Sequence, residues 1–187
     1  MAKTKGIAGK TLIKKSLRTF FFGSDKAFAS SAKGMKGERL LGKALSQLPE
    51  GWRIWHDLDI GGENIDHLVA SAKGVFIVEV KNYRGTSLAL PKALYTHGSK
   101  KPNHDIPRQV WRQVYKLKDV LGEVYISPLL VFVNGVNAGD NVTGLPVTTN
   151  IPCLSLEQLV PHLRDQDNRL SYAEAKPLFA QLDALTK

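Results

Sequence analysis

Leu129-Leu130-Val131-Phe132-Val133 is apolar at five consecutive positions before the run stops at Asn134. A half-exposed strand alternates, so an unbroken run of this kind belongs to a strand covered on both faces, typical of a parallel pair. Helical patterns flank it. Upstream, Pro107 opens a helix with the apolar stripe Val110, Val114, Leu117 and Leu121. Proline suits that first turn because its missing N–H has no helical partner there. Downstream, Ser155 with Gln158 and Ser171 with Glu174 have capping-box spacing and mark two closing helices. Pro161 is expected to kink or end the first of these.

In the N-terminal half a helical pattern from Lys33 puts Leu41, Leu45 and Leu48 on one face until Pro49-Glu50-Gly51 stops it. Three strands follow, Trp52 to Ile60, Ile65 to Ala70 and Val75 to Lys81, separated by turns at Gly61-Gly62-Glu63-Asn64 and Ser71 to Gly74. In the first, alternation puts Ile54, His56 and Leu58 on one face against Trp55, Asp57 and Asp59. A strand around Ser87 to Leu90, a long polar loop from Pro91 to Ile106 and a short strand near Ile151 to Leu154 complete the pattern. The order predicts an α/β fold with a mixed central β-sheet flanked by helices.

Charge divides the chain unevenly. The net charge is +9, and residues 1–36 carry nine lysines and arginines against Asp25 alone, so the rest is nearly neutral. Two units are expected: a basic N-terminal arm, 1–35, and a single domain, 36–187. The arm suits any polyanion, nucleic acid or an anionic lipid surface alike. Its Phe20-Phe21-Phe22 cluster, beside Leu12, Ile13 and Leu17, fits docking on the domain or a membrane-surface helix. Gly6 to Thr11 imitates a phosphate-binding loop, but Thr4 stands where the first glycine belongs, so no nucleotide site is expected. The lone Cys153 rules out an internal disulfide and a cysteine-based zinc site. No apolar run approaches the ~20 residues of a membrane span. A cytoplasmic protein is the expectation.

Three carboxylates break the hydrophobic pattern, and such conflicts often mark sites. Glu79 interrupts the apolar run 75–80, with Lys81 two positions on and so on the same strand face. Asp66 sits on the preceding strand, where a hairpin can bring it beside Glu79. Glu38 heads the inward stripe of the first helix. Burying such charges is costly without compensation, which a divalent cation supplies. Asp66, Glu79 and the Val80 carbonyl are hard oxygen ligands suited to Mg²⁺ or Mn²⁺. Lys81 would orient or deprotonate an attacking water, or neutralise charge on a phosphorane. On spacing alone, a capped turn and an edge-strand ion pair remain the alternative.

The stretches Ile65-Asp66-His67-Leu68-Val69 and Gly74-Val75-Phe76-Ile77-Val78-Glu79-Val80-Lys81-Asn82 resemble the NERD (nuclease-related) domain family of the PD-(D/E)xK nuclease superfamily. Gly37-Glu38, Asp57-Leu58 and Gly85 also match, and the similarity runs from about Gly37 to Asn134. The resemblance implies a restriction-endonuclease-like core and a site of Glu38, Asp66, Glu79, Lys81 and Gln109. One departure stands out: Ile106-Pro107-Arg108-Gln109 has one residue fewer between proline and glutamine than the family's usual Asn-Pro-x-x-Gln.

His67 adjoins Asp66 but points to the other face, as a structural or outer support. His56, His97, His104 and His162 lack zinc-ligand spacing. Lys73, Lys100, Lys101, Arg108, Arg112 and Tyr115 are candidates to hold a sugar–phosphate backbone without reading bases. The leading expectation is a metal-dependent nuclease on DNA with little sequence specificity. Cutting both duplex strands would suit a homodimer. Its rivals are a non-catalytic nucleic-acid-binding module and a peripheral membrane or protein adaptor acting through the arm.

Overall fold

The unbroken apolar run lies in the middle of the molecule. The computed structural model describes residues 1–6, 25–95, 101–102, 105–138 and 147–186. In chain order these form β1 (Lys3–Lys5), α1 (Asp25–Leu45), β2 (Arg53–Asp59), β3 (Asn64–Ser71), β4 (Gly74–Lys81), β5 (Ser87–Leu90), β6 (Ala93–Tyr95), α2 (Ile106–Leu121), β7 (Ile126–Phe132), β8 (Val136–Ala138), β9 (Val147–Thr148), β10 (Ile151–Ser155), α3 (Leu156–Arg164) and α4 (Tyr172–Leu185). Seven strands make one mixed sheet in the order β1-β2-β3-β4-β7-β10-β9, and β6-β5-β8 make a second, small one.

The connectivity follows from what each strand must bury. β2, β3 and β4 form an antiparallel meander, and β4 and β7 pair in parallel from Val75↔Ile126 to Lys81↔Phe132. α2 is the helical part of the crossover that a parallel pair requires. Apart from Glu79 and Lys81 in β4 and Ser127 in β7, both central strands are apolar because both sheet faces are covered. Val110, Val114, Leu117 and Leu121 of α2, with Leu178 and Leu182 of α4, pack on one face over Val75, Ile77 and Leu130. Leu41, Leu45 and Leu48 from α1 and its following turn, with Leu159 and Leu163 of α3, cover the other over Phe76, Val78, Leu129 and Val131. This is a mixed central sheet flanked by helices, as expected.

Several local expectations need correction. α1 begins at Asp25, eight residues before the apolar stripe becomes legible. The arm is no simple appendage at its described ends: Lys3–Lys5 pairs in parallel with β2, and residues 25–35 are helical. Lys-Thr-Lys carries no strand signal, because backbone hydrogen bonds rather than buried side chains recruit it. The Phe20–Phe22 cluster and most of the loop-like Gly6–Thr11 stretch lie outside the described residues. The polar loop after Pro91 contains β6, an antiparallel partner of β5. Pro161 sits inside α3 without ending it, and the helix continues to Arg164.

The β2 correction matters most. Ile54 packs in the α1 layer, but Leu58 and Ile60 pack in the α2 layer, although strict alternation would keep Ile54 and Leu58 together. Asp57 has φ of 53°, and this left-handed residue switches the strand's phase. A non-glycine residue held there costs on the order of 1–3 kcal/mol, and such strain clusters at functional sites.

Candidate functional site

The site begins with strand register. β3 and β4 pair from Ser71↔Gly74 to Leu68↔Ile77 and then make no further ladder pair, although both strands continue. Two more steps of the same register put Asp66 opposite Glu79. β4 meanwhile stays paired to β7 as far as Lys81, so Glu79 is held on a rigid strand beside an opening. Glu79 is 2% exposed and shares the α2-facing side with Lys81, whose ammonium donates to Glu79 Oε1 at 2.5 Å. Gln109, in the first turns of α2, donates from Nε2 to the same oxygen at 3.4 Å. The one-residue departure in spacing therefore does not keep Gln109 out.

Glu38 arrives from the opposite face. Gly37 lets α1 approach the strand ends closely: a Cβ there would stand 3.1 Å from Asn82 Cβ and 3.7 Å from Val133. Asn82 ties the approach down by donating to the Lys33 carbonyl at 2.8 Å, and Asn134 donates to Asn82 at 3.2 Å and to the Tyr83 carbonyl. Leu41 and Leu45 of α1 are fully buried. Each is worth about 1.5–3 kcal/mol of apolar burial. Together they outweigh the roughly 1–3 kcal/mol of taking a neutral polar group out of water unpaired, a cost that the hydrogen bond to His67 lowers further.

The Glu38 carboxyl is that neutral kind. Burial, then the charges of Glu79 and Asp57, raise its pKa from 4.5 to about 8, against the opposing pull of Lys81 and a hydrogen bond with Asp66. Asp66 is likewise raised to about 8 by burial, then by Glu79 and Glu38. Burial alone would push the Lys81 amine down, but the charge and hydrogen bond of Glu79, with Tyr83 and Asp66, hold it above its ordinary value. The site is thus several carboxyl groups around one cation, with protons standing in for missing positive charge.

A polar chain supports Glu38. Its Oε2 is hydrogen-bonded to His67 Nε2, and His67 Nδ1 lies 2.7 Å from His56 Nδ1 in an edge-on ring pair. His67 is completely buried, and burial lowers both imidazoles to about 4, so both are neutral near pH 7. His67 is thus an outer support on the α1 side, as its strand parity implied. Across the opening, Asn64 Nδ2 lies 3.3 Å from oxygens of both Asp57 and Asp66, and Gln113 Nε2 donates to the Asn64 carbonyl at 2.9 Å. Asn64, His56 and Gln113 were not legible beforehand. Asn64 reads as an ordinary turn residue, and Gln113 belongs to no recognisable motif.

The candidate backbone-binding residues separate. Lys73 is at the β3–β4 turn, the far end of the sheet, with its ammonium on the Gln166 carbonyl. It does not join the site. Arg112 is engaged by Glu63 through Nε–Oε1 at 2.5 Å and Nη2–Oε2 at 3.3 Å. Lys101, Arg108 and Tyr115 are exposed, Arg108 on the first turn of α2. Lys100, His97 and His104 lie outside the described residues. Cys153 is buried, and burial pushes its thiol up to about 12, so it is an inert core residue. Among the described residues no group of three or more His, Cys, Asp or Glu side chains is arranged to enclose a metal, and no helix is long and apolar enough to cross a membrane.

Comparison with known proteins adds the following. The sequence pattern of the NERD family, described as nuclease-related domain, matches residues 33–133. An uncharacterized protein of Bacillus anthracis is 39% identical over 67 residues, 33% of this chain and 32% of that protein, so the chain spans about a third of that relative. The solved structure of Pyrococcus furiosus SfsA in complex with Ca²⁺ is similar over 84% of this chain and 52% of that one, with 17% identity and a TM-score of 0.29.

Proposed function

This chain belongs to the NERD, or nuclease-related domain, family of the PD-(D/E)xK-like nuclease group, and from that premise we propose a divalent-metal-dependent nuclease that hydrolyses DNA phosphodiester bonds with little sequence specificity. The observation that carries it is the convergence of Asp66, Glu79 and Lys81 where β3 and β4 stop pairing, with Glu38 and Gln109 closing in from α1 and α2.

The donor chemistry fits Mg²⁺ or Mn²⁺. These ions bind through one or two carboxylates, keep several waters and accept phosphate oxygens, so they need no enclosing cage of three acidic or imidazole side chains. Asp66, Glu79 and the Val80 carbonyl would hold the ion. When bound, it would lower the pKa of water and polarise the phosphoryl oxygen. The chain's own groups do the rest. Lys81, kept protonated by Glu79, orients the water by donating to it and balances negative charge growing on phosphorus. Gln109 positions phosphate or water from the α2 side. Glu38, steadied by His67 and raised towards its protonated form, keeps Asp66 in place by hydrogen bonding. Lys101 and Arg108 are exposed cations beside the opening of α2, available to the DNA backbone without reading bases.

The test is cleavage of labelled single- and double-stranded DNA and RNA in Mg²⁺, Mn²⁺ or EDTA, with wild type beside Asp66→Ala and Lys81→Ala. Metal-dependent cutting lost in both variants, with DNA binding retained by Lys81→Ala, is the expected result. No cutting by wild type, or equal cutting by the variants, overturns the catalytic reading in favour of a nucleic-acid-binding module.

A further inference from the structure

A group of aromatic rings on the outer side of α2 plays no part in the carboxylate site. Trp111 is anchored by its indole N–H, which donates to the Thr149 carbonyl at 3.0 Å. Tyr115, one turn on, lies against it with ring centroids 6.1 Å apart and planes tilted by 33°, yet is 62% exposed. Opposite stands Tyr125, 50% exposed, with the Arg169 guanidinium 4.1 Å over its ring. Together with Lys118 and Asn150 these rings wall a cleft of about 390 Å³ floored by the start of β7 and by Pro152. Three aromatics converging on one cleft, with Lys118 and Arg169 around it, differ from the scattered apolar residues normal on a surface.

We propose that this cleft is a stacking platform for the unpaired bases of a single-stranded nucleic acid, and that it makes single-stranded DNA the preferred substrate of the site described above, on whose nuclease reading that preference rests. Rings offer every base a face without reading its hydrogen-bonding edge, which suits a protein with little sequence specificity. Bases in a duplex are stacked on one another and have no free face to offer. The cations match a phosphate chain. Tyr115 is six residues beyond Gln109 on α2, a rise of about 9 Å. At ~100° per residue, Tyr115 also stands about 120° around the helix from Gln109, so the rings and the carboxylate site lie on different sides of α2. Arg108, exposed on the first turn of α2 just before Gln109, is a cation at the carboxylate end of that helix. The cleft is floored by Ile126, the partner of Val75 at the other end of β4 from Glu79 and Lys81, so a strand cut there would run along and around α2 to seat a base at Trp111 and Tyr115.

The chain has three tryptophans, and Trp52 and Trp55 are buried, so Trp111 is the one open to quenching by a stacked base. In EDTA, the whole protein is titrated with a 15-residue oligothymidylate, an abasic oligomer of equal length and a 15-base-pair duplex. Tryptophan emission and fluorescence anisotropy are read together. Oligothymidylate is expected to quench emission and bind on the order of tenfold tighter than the abasic oligomer. Tyr115→Ala should remove that advantage, and Tyr115→Phe should keep it. Equal binding of abasic and base-bearing oligomers, tighter binding of the duplex, or Tyr115→Ala indistinguishable from wild type would overturn the platform. A Tyr115→Ala-sensitive dimer that binds no nucleic acid would overturn it too, in favour of self-association. Cleavage measured separately keeps the two claims apart. Base-dependent binding without metal-dependent cutting refutes the nuclease and leaves the platform. Cutting that ignores Tyr115 does the reverse.

Discussion

Stability against pH tests the protons held in the carboxylate cluster. Glu38 and Asp66 have ordinary values of 4.5 and 3.8 and folded values of about 8. Between those limits the folded chain keeps protons that the unfolded chain has released, so stability falls as pH rises and the loss is complete above about 8. His56 and His67 act in the opposite sense, but only below about 6.5, where unfolded imidazoles take up protons that the buried rings refuse. The informative window is therefore pH 6.5 to 8.5. Each retained proton is worth about 1.36 kcal/mol per pH unit, or about 2 kcal/mol across the 1.5 units up to pH 8. At about 2–4 °C per kcal/mol for a chain of this size, one shared proton lowers Tm by about 4–8 °C, and two would double that. The assay is calorimetric or dye-monitored melting in EDTA, repeated with excess Mn²⁺ and with the Glu38→Gln/Asp66→Asn double variant. Wild type should lose stability across the window in EDTA, the double variant should not, and Mn²⁺ should stabilise wild type increasingly as pH rises. A flat wild-type profile in EDTA, or the same slope in the double variant, would refute the protonated cluster.

Two further substitutions probe the supports of the site and of the sheet edge. His67→Asn withdraws the buried ring that joins Glu38 to His56, and should cost about 1–3 kcal/mol in thermal unfolding while reducing cleavage more than DNA binding. Unchanged melting together with unchanged kcat would show that Glu38 needs no such support. Asp183→Ala removes the acceptor that holds Trp55 Nε1 at 2.9 Å, Lys5 at 3.0 Å and Arg53 at 3.1 Å. It should cost about 1–2 kcal/mol and speed hydrogen exchange of the amides pairing β1 with β2, with cleavage unaffected. Exchange at β1 no faster than in wild type would mean that the backbone ladder alone keeps the edge strand in place.

What was legible in advance was whatever one segment encodes by itself. The apolar run 129–133 announced a strand covered on both faces, the capping residues Ser155 and Ser171 placed two helix starts, and Glu79 with Lys81 had to share a strand face because side chains alternate. Resemblance to the NERD family supplied Gln109, which no local pattern would have chosen. Other features depend on neighbours distant in sequence. Lys3–Lys5 is a strand only because the edge of β2 offers unpaired backbone groups to it. Asp57 reverses the parity of β2 through one left-handed residue, which no hydrophobic pattern announces. Lys73 and Arg112 looked equivalent to Arg108 until the fold sent one to the far end of the sheet and gave the other to Glu63. Sequence alone determined which residue types carry the chemistry and on which strand face Glu79 and Lys81 stand, because propensity and periodicity act over a few residues. The tertiary structure decided that Asp66 and Glu79 meet where their strands stop pairing, that Glu38 reaches them through the close approach Gly37 allows, and that burial raises the carboxyl pKa values of Glu38 and Asp66. Distance, desolvation and the sum of nearby charges exist only once the chain has folded.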